Sequence, residues 1–452
     1  MSGDFDAIVL GGGPAGEHCA ARLVAGGLRV AIVERELLGG ECSYWGCIPS
    51  KTLVRPGEAL QAARAAPGAR EAIAGGVDAA AAFAWRDFMV SGYDDSSQSS
   101  WAAGEGIEVL RGAGRLAGPG RVTVGDQTYS ANDIVIATGS DPVIPPVPGL
   151  RALDGIWTNR EATALTEVPR RLLILGGGPV GLELGQALAR MGASVAIVEG
   201  MGHLLAREPK PLGDAIAEAL AGDGVELYLG QQAASARRER DDYVLELADG
   251  TELRGDRLLV ATGRRPRAAD LGLDSVGIEP GRRGIEVDAR MSAGDGVWAI
   301  GDVTGIWPLT YVGKYQGRIA AANILGGERE ADYRAVPRVV FTDPQVAAVG
   351  EADGPVTARI PLGGVARTST YTRAYDRRHD FLALVSDGEV LTGAYAVGPE
   401  VGEWLQQATL AIRARIPIAI MLDTIQPFPT FSEAFLFALQ ELRRPEAMRE
   451  AA

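Results

Sequence analysis

The chain has 452 residues, 46% hydrophobic and 23% charged, a balance that suits a folded protein of about two to four domains. Its formal net charge of −14 offers no basic footprint for nucleic acid or an anionic membrane surface. Three cysteines and three histidines exclude a disulfide-stapled scaffold and a four-ligand zinc centre, and no apolar run reaches the ~18 residues of a membrane span.

The N-terminus has no basic leader region and enters an apolar strand almost at once, which predicts a cytoplasmic protein. Asp6–Glu34 reads as a strand, a glycine-rich turn, an Ala-rich helix and a second strand ending in Glu34. This is the βαβ dinucleotide-binding pattern. Gly11 makes the tight turn, Gly13 admits a pyrophosphate and Gly16 lets helix and strand pack closely. Within the helix, Cys19 reads as a packed core thiol and His18 as helix surface.

Gly39–Lys51 reads GGECSYWGCIPSK, with Cys42 and Cys47 five residues apart. Five residues of undistorted helix rise about 7.5 Å. Bonded cysteines keep their Cα atoms ~4.4–6.8 Å apart, so a bond requires a break in the helix, for which Gly46 and Pro49 are suited. Two readings stand on these residues alone: a pair of inert thiols, or a redox pair beside a nucleotide site. Trp45, between them, either packs or stacks near a ring. Asp94–Ser100 (DDSSQSS) reads as a mobile polar loop.

Ile134–Gly139 (IVIATG) is a buried strand with a glycine turn, and the proline-rich Asp141–Gly149 reads as a linker. Arg171–Glu199 then repeats the first unit, with Gly176, Gly178, Gly181 and a terminal Glu199. Two such turns, each with an acid eighteen residues beyond its last glycine, point to two dinucleotides in one chain. The acids are expected on ribose hydroxyls. Glu199 would repel a 2′-phosphate, which favours NADH and leaves NADPH as the other candidate. Tyr243–Leu253 reads as a hairpin turning at Asp249-Gly250. Leu258–Gly263 (LLVATG) echoes the earlier IVIATG, and Arg264–Arg267 reads as a second linker whose arginines reach phosphates or cap a turn. Val297–Asp302 is a strand with a Gly-Asp turn; Tyr311 and Lys314 follow it, as flavin neighbours or as packing and surface residues. From about Tyr333 the pattern becomes α+β, with strands in Val336–Gly350 and Leu382–Val397 and a helix over Glu400–Arg415.

Taken together, GGGPAG, GGECSYWGCIPSK, IATGS, GGGPVGLELG, ATGRRP, VWAIGD and VPRVVFTDPQVAAVG resemble the pyridine nucleotide-disulfide oxidoreductases: dihydrolipoamide dehydrogenase, glutathione reductase, mercuric reductase and relatives. The resemblance implies an α/β fold with two Rossmann-like, three-layer ββα dinucleotide-binding domains and a C-terminal α+β dimerisation domain. Expected boundaries are 1–150 for FAD, 151–270 for NAD, 271–332 returning to the FAD domain and 333–452 for dimerisation. It implies FAD at the first turn, with Glu34 on its ribose and Asp302 on the ribitol. Gly114, Thr138, Gly139 and Gly263, with Gly176, Gly178, Gly181 and Glu199 at the nucleotide turn, complete the cofactor set. Lys51 matches the lysine beside the flavin and Glu183 its ion-pair partner. Cys47 matches the thiol nearest the flavin and Cys42 the outer interchange thiol of a redox-active disulfide. No metal is implied, and the protein is expected to be a homodimer.

One departure changes the chemistry. The family ends in a His-Pro-Thr…Glu stretch whose histidine, from the other subunit, is the acid–base group. Here Pro427–Glu433 reads PFPTFSE: Phe428 stands at the histidine position and Glu433 matches the orienting acid. A positioned acid–base group contributes ~10²–10⁴-fold, and a phenyl ring supplies none of it. The expected enzyme is therefore an NADH-dependent flavoprotein with a quinone-like or other non-lipoamide acceptor. The alternatives are a reductase of an unusual small disulfide and, in another class, a flavoprotein redox sensor.

Overall fold

The computed structural model describes residues 4–371 and 379–443. It forms two compact units, each discontinuous in sequence. The first contains Met1–Pro49, Ala84–Val143 and Gly263–Asp332; the second contains Ser50–Phe83, Ile144–Thr262 and Tyr333–Ala452.

The first unit is built on strand Phe5–Leu10, which pairs in parallel with Val30–Glu34 on one side and Gln127–Ile136 on the other. Its residues are apolar and buried nearly throughout, as a central parallel strand covered on both faces requires. Each large aliphatic side chain so buried stabilises the fold by about 1.5–3 kcal/mol. Glu108–Arg111 extends one edge, and Val297–Ala299 with Ser292–Gly294 the other. The long strand Gln127–Ile136 also closes an antiparallel meander with Arg121–Val124 and Gly114–Leu116. Helix Pro14–Ala25 buries Gly16, Cys19, Ala20 and Leu23, a single helical stripe, and starts with proline in its first turn.

Two expectations are corrected in this unit. The polar run Asp94–Ser100 is not a mobile loop, because helix Ser96–Glu105 begins in it and stops at the left-handed Gly106. The Asp95 carboxylate fixes its start, accepting from Leu38 N–H at 2.7 Å and pairing with Arg111. The two proline- and arginine-rich segments are not free linkers either. Ser140–Pro142 and Arg264–Pro266 pair as an antiparallel ribbon.

The second unit repeats the plan. Glu226–Leu229, Ser194–Glu199, Arg171–Leu175 and Arg257–Val260 form a parallel sheet in that order. The predicted hairpin is present as Asp242–Leu247 and Glu252–Gly255, with Ala233–Glu239 completing a three-stranded meander. Its C-terminal part is a five-stranded antiparallel sheet centred on Leu391–Gly398. The segment expected as one helix over Glu400–Arg415 is two, Val401–Trp404 and Gln406–Ala414. Helix Glu433–Leu442 packs Phe435, Ala438 and Leu439 into the same core. Among the described residues no helix is long and apolar enough to cross a membrane.

Candidate redox centre and nucleotide turns

The two glycine turns have one geometry. Gly11 and Gly176 adopt φ +110° and +117°. A Cβ at Gly11 would lie 2.4 Å from Ala137 O, and one at Gly176 2.5 Å from Ala261 O. A Cβ at Gly16 would lie 2.0 Å from Gly11 O, and one at Gly181 2.2 Å from Gly176 O. The first and third glycines are thus demanded by the protein's own backbone. The second ones are not: at Gly178 a Cβ meets nothing within 4 Å, and at Gly13 only Gly40 Cα at 3.9 Å. Helices Pro14–Ala25 and Pro179–Arg190 start just beyond these positions with no side-chain cap. Space and uncapped N–H groups at the positive end of a helix suit a pyrophosphate. The terminal acids brace the turns. Glu34 accepts from Gly12 N–H and Glu36 N–H, both at 2.8 Å, and Glu199 from Gly177 N–H at 2.7 Å and Met201 N–H at 2.8 Å.

The cysteine segment is broken where the geometry requires. Helix Gly40–Tyr44 ends at Trp45, with φ −133°, and a new helix, Cys47–Ala65, starts after Gly46. Gly46 passes so close to the preceding turn that a Cβ would lie 3.1 Å from Glu41 O and 3.3 Å from Cys42 Cα. Both cysteines are free thiols in this structure. The Cys42 thiol is pushed far up in pKa by its hydrogen bond to Cys47, by burial and by the like charge of its neighbour. The Thr310 hydroxyl lies 3.3 Å from Cys47 Sγ. Sequence reasoning missed Thr310, because nothing in its local pattern distinguishes it from an ordinary first residue of a helix.

Lys51 and Glu183, 132 residues apart, form an ion pair at 2.6 Å. Glu183 is almost fully buried and also accepts from Phe341 N–H at 3.0 Å, while the Lys51 ammonium lies 4.7 Å from the centre of the Phe341 ring. Asp302 accepts from Ser140 Oγ at 2.6 Å; Ser140 in turn receives Arg264 Nε at 2.7 Å. Arg264 and Arg267 also lie 3.5 and 3.8 Å from Glu41, the residue before Cys42. Thr138 donates to Arg267 O at 2.7 Å, and Gly139 and Gly263 are left-handed at φ +76° and +134°. A Cβ at Gly114 would lie 2.8 Å from Leu10 Cδ2.

The other candidates separate by environment. Trp45 stacks on Tyr93 at 6.1 Å and lies 5.6 Å from Tyr44, an aromatic cluster. Tyr311 is exposed, and the Lys314 charge acts on Glu17 and His18. Burial pushes the Cys19 thiol up to about 12, as befits an inert core thiol. Phe428 is 72% exposed, and Glu433 Oε2 is buried without a hydrogen-bond partner. The histidines serve elsewhere: His203 Nδ1 is bonded to Leu204 O, and His379 pairs with Glu218 at 3.3 Å.

Comparison with known proteins shows the family. Residues 5–317 match the model of the pyridine nucleotide-disulphide oxidoreductase family, and residues 336–438 match its dimerisation domain. The chain is 34% identical to a dihydrolipoyl dehydrogenase of Thermus scotoductus, over 97% of this chain and 98% of that one. It is also 34% identical to a mercuric reductase of Acidithiobacillus ferrooxidans, over 96% of this chain and 82% of that one. Among solved structures, the HOCl-induced flavoprotein disulfide reductase RclA from Escherichia coli, as its Cu(II) complex, superposes with a TM-score of 0.86 at 27% identity, covering 98% of this chain and all of that one. The family is FAD-dependent and takes a pyridine nucleotide. The chain belongs to the pyridine nucleotide-disulphide oxidoreductases and is an enzyme of the flavoprotein disulfide reductase type.

Proposed function

We propose that this enzyme oxidises NADH and passes the electrons to a quinone-like or other non-lipoamide acceptor. The observation that carries the reading is Phe428, a solvent-exposed phenyl group at the family's acid–base position, followed by a Glu433 oxygen with nothing to orient. Thiol–disulfide exchange with a dithiol substrate needs a proton delivered to the departing sulfur. A phenyl ring holds no proton, whereas an apolar mouth suits a flat, diffusible acceptor.

The first turn, with Gly11, Gly13, Gly16 and Glu34, would hold FAD, and Asp302, Thr138, Gly139 and Gly114 would complete its site. Lys51 and Glu183 would set the electrostatics beside it. The second turn, with Gly176, Gly178, Gly181, Glu199 and Gly263, would hold the nicotinamide nucleotide. The Glu199 carboxylate supports NADH, because it opposes a 2′-phosphate. When bound, FAD supplies two-electron chemistry between the nucleotide and the cysteine pair. The chain's own part is to hold the nucleotides, brace the turns and keep the proton on Cys42. We assign 1–150 and 271–332 to the FAD domain, 151–270 to the NAD domain and 333–452 to dimerisation, and read the enzyme as a cytoplasmic homodimer.

A second reading, reduction of an unusual small disulfide, is favoured by the retention of both cysteines as a free thiol pair. The test is NADH oxidation by the holoenzyme with lipoamide and with a benzoquinone, side by side. Rapid turnover with the quinone alone is expected. Phe428→His is expected to raise the lipoamide rate by about 10²-fold or more. Rapid turnover of the parent enzyme with lipoamide would overturn the reading.

A further inference from the structure

The ring stacked on Trp45, between the two cysteines, comes from an unusual stretch of backbone. Ser91, Gly92 and Tyr93 are left-handed in succession, at φ +52°, +58° and +63°. For Ser91 and Tyr93, which carry a Cβ, that conformation is unfavourable and persists only where the surroundings fix it. They fix it at both ends. Val90, before the turn, is buried, and its N–H donates to Arg86 O at 3.0 Å. Beyond the turn, Asp95 accepts from Leu38 N–H at 2.7 Å, and the Leu38 carbonyl accepts from the Tyr44 hydroxyl at 3.1 Å. The buried Tyr44 ring lies 5.6 Å from Trp45. The Tyr93 ring closes the circuit, 6.5 Å from Tyr44 and stacked on Trp45 at 6.1 Å and 27°.

We propose that Tyr93 is a positioning residue for the cysteine pair: stacked on Trp45, its ring holds the break between the two cysteine helices, so that the disulfide closes and opens with little backbone movement. Trp45 is where helix Gly40–Tyr44, which carries Cys42, ends, and Cys47 opens the next helix. Between them the chain doubles back on Cys42, since a Cβ at Gly46 would lie 3.3 Å from Cys42 Cα. A pair held near its bonded geometry has less freedom to lose when the bond forms, which favours the disulfide. The ring does this and not the hydroxyl: Tyr93 Oη is buried and, among the described residues, has no hydrogen-bond partner. The inference goes beyond the choice of acceptor and rests only on the cysteines being a redox pair.

The test equilibrates the holoenzyme with reduced and oxidised dithiothreitol, then counts the thiols of Cys42 and Cys47 by acid quench, alkylation and mass spectrometry. In the measured step one dithiothreitol closes to its cyclic disulfide and gives up two electrons and two protons. The Cys42–Cys47 bond breaks, and an S–H bond forms on each sulfur. Tyr93→Ala is expected to lower the equilibrium constant for disulfide formation about tenfold, a potential about 30 mV higher. Trp45→Leu is expected to move it the same way, and Tyr93→Phe to match the parent. An unchanged constant in Tyr93→Ala or in Trp45→Leu would overturn the proposal. So would a shift in Tyr93→Phe equal to that of alanine, because the hydroxyl and not the stack would then be at work. Tyr93→Leu takes the place of alanine if that variant fails to fold. Turnover is not read, so an enzyme that turned over lipoamide would sink the quinone reading and leave this one to its own result.

Discussion

The two glycine turns are near copies, and their differences lie in what comes next. In the first, Gly40 folds back on the turn so closely that a Cβ there would lie 2.7 Å from Gly13 Cα. Leu38 covers Gly12, and Gly39 N–H donates to Gly12 O at 2.7 Å. The cysteine helix then starts against the turn itself. In the second, Leu204 covers Gly177 and Leu205 N–H donates to Gly177 O at 3.0 Å, but Gly178 stays clear and the neighbouring Met201 is 56% exposed. One turn is closed by the redox segment, and its copy is left open. On the proposed reading, the first turn holds the nucleotide that stays and the second the one that comes and goes, the distinction residing in the chain that follows.

Substitutions at matched positions sharpen or break this comparison. The largest effect is expected from Gly16→Ala and Gly181→Ala, whose Cβ atoms would meet backbone oxygens at 2.0 and 2.2 Å. Each should cost about 3 kcal/mol or more, read as lost soluble protein or a steep fall in denaturation midpoint. Equal tolerance of alanine at both sites would contradict the claim that the turns share a packing origin. Smaller and more selective effects are expected at the second glycines. Gly178→Ala should change Tm by only a few degrees and raise KM for NADH about tenfold, with flavin content unchanged. Gly13→Ala should instead lower the flavin retained on purification. If the two variants gave the same phenotype, the division into a closed and an open turn would fail.

The smallest effect concerns pH. Burial raises the Glu17 carboxyl, in the first turn of helix Pro14–Ala25, to about 7, with the Lys314 charge opposing and Glu34 adding to the shift. The native state therefore binds more protons than the unfolded chain between the ordinary carboxyl range and about pH 7. Stability should fall as pH rises through that window. Glu17→Gln should flatten the dependence, measured as Tm from pH 5 to 8. The second turn has Leu182 at the matching place and should contribute no such slope.

Much of this was legible because it is written in local spacing. Two glycine triplets with their acids, the cysteine pair and the break it needs at Gly46 are each contained in a few tens of residues. The helix over Ser96–Glu105 was not legible. Its polar first turn carries no apolar period, and it is fixed by Asp95 bonding to Leu38 and Arg111. The ribbon joining Ser140–Pro142 to Arg264–Pro266 was equally hidden, since proline-rich segments read as linkers until a distant partner is known.

By itself the sequence determined the repeated nucleotide units, the redox-type cysteine segment and the missing imidazole at Phe428, because residue identity and short-range periodicity suffice for those. The tertiary structure alone brought Thr310 to Cys47 across 263 positions, whereas the Lys51–Glu183 pair across 132 positions was already implied by the resemblance. It also alone showed that the second glycines are spared by the protein's own packing. Those facts depend on which atoms fill which space once the chain has closed on itself, and no local pattern encodes them.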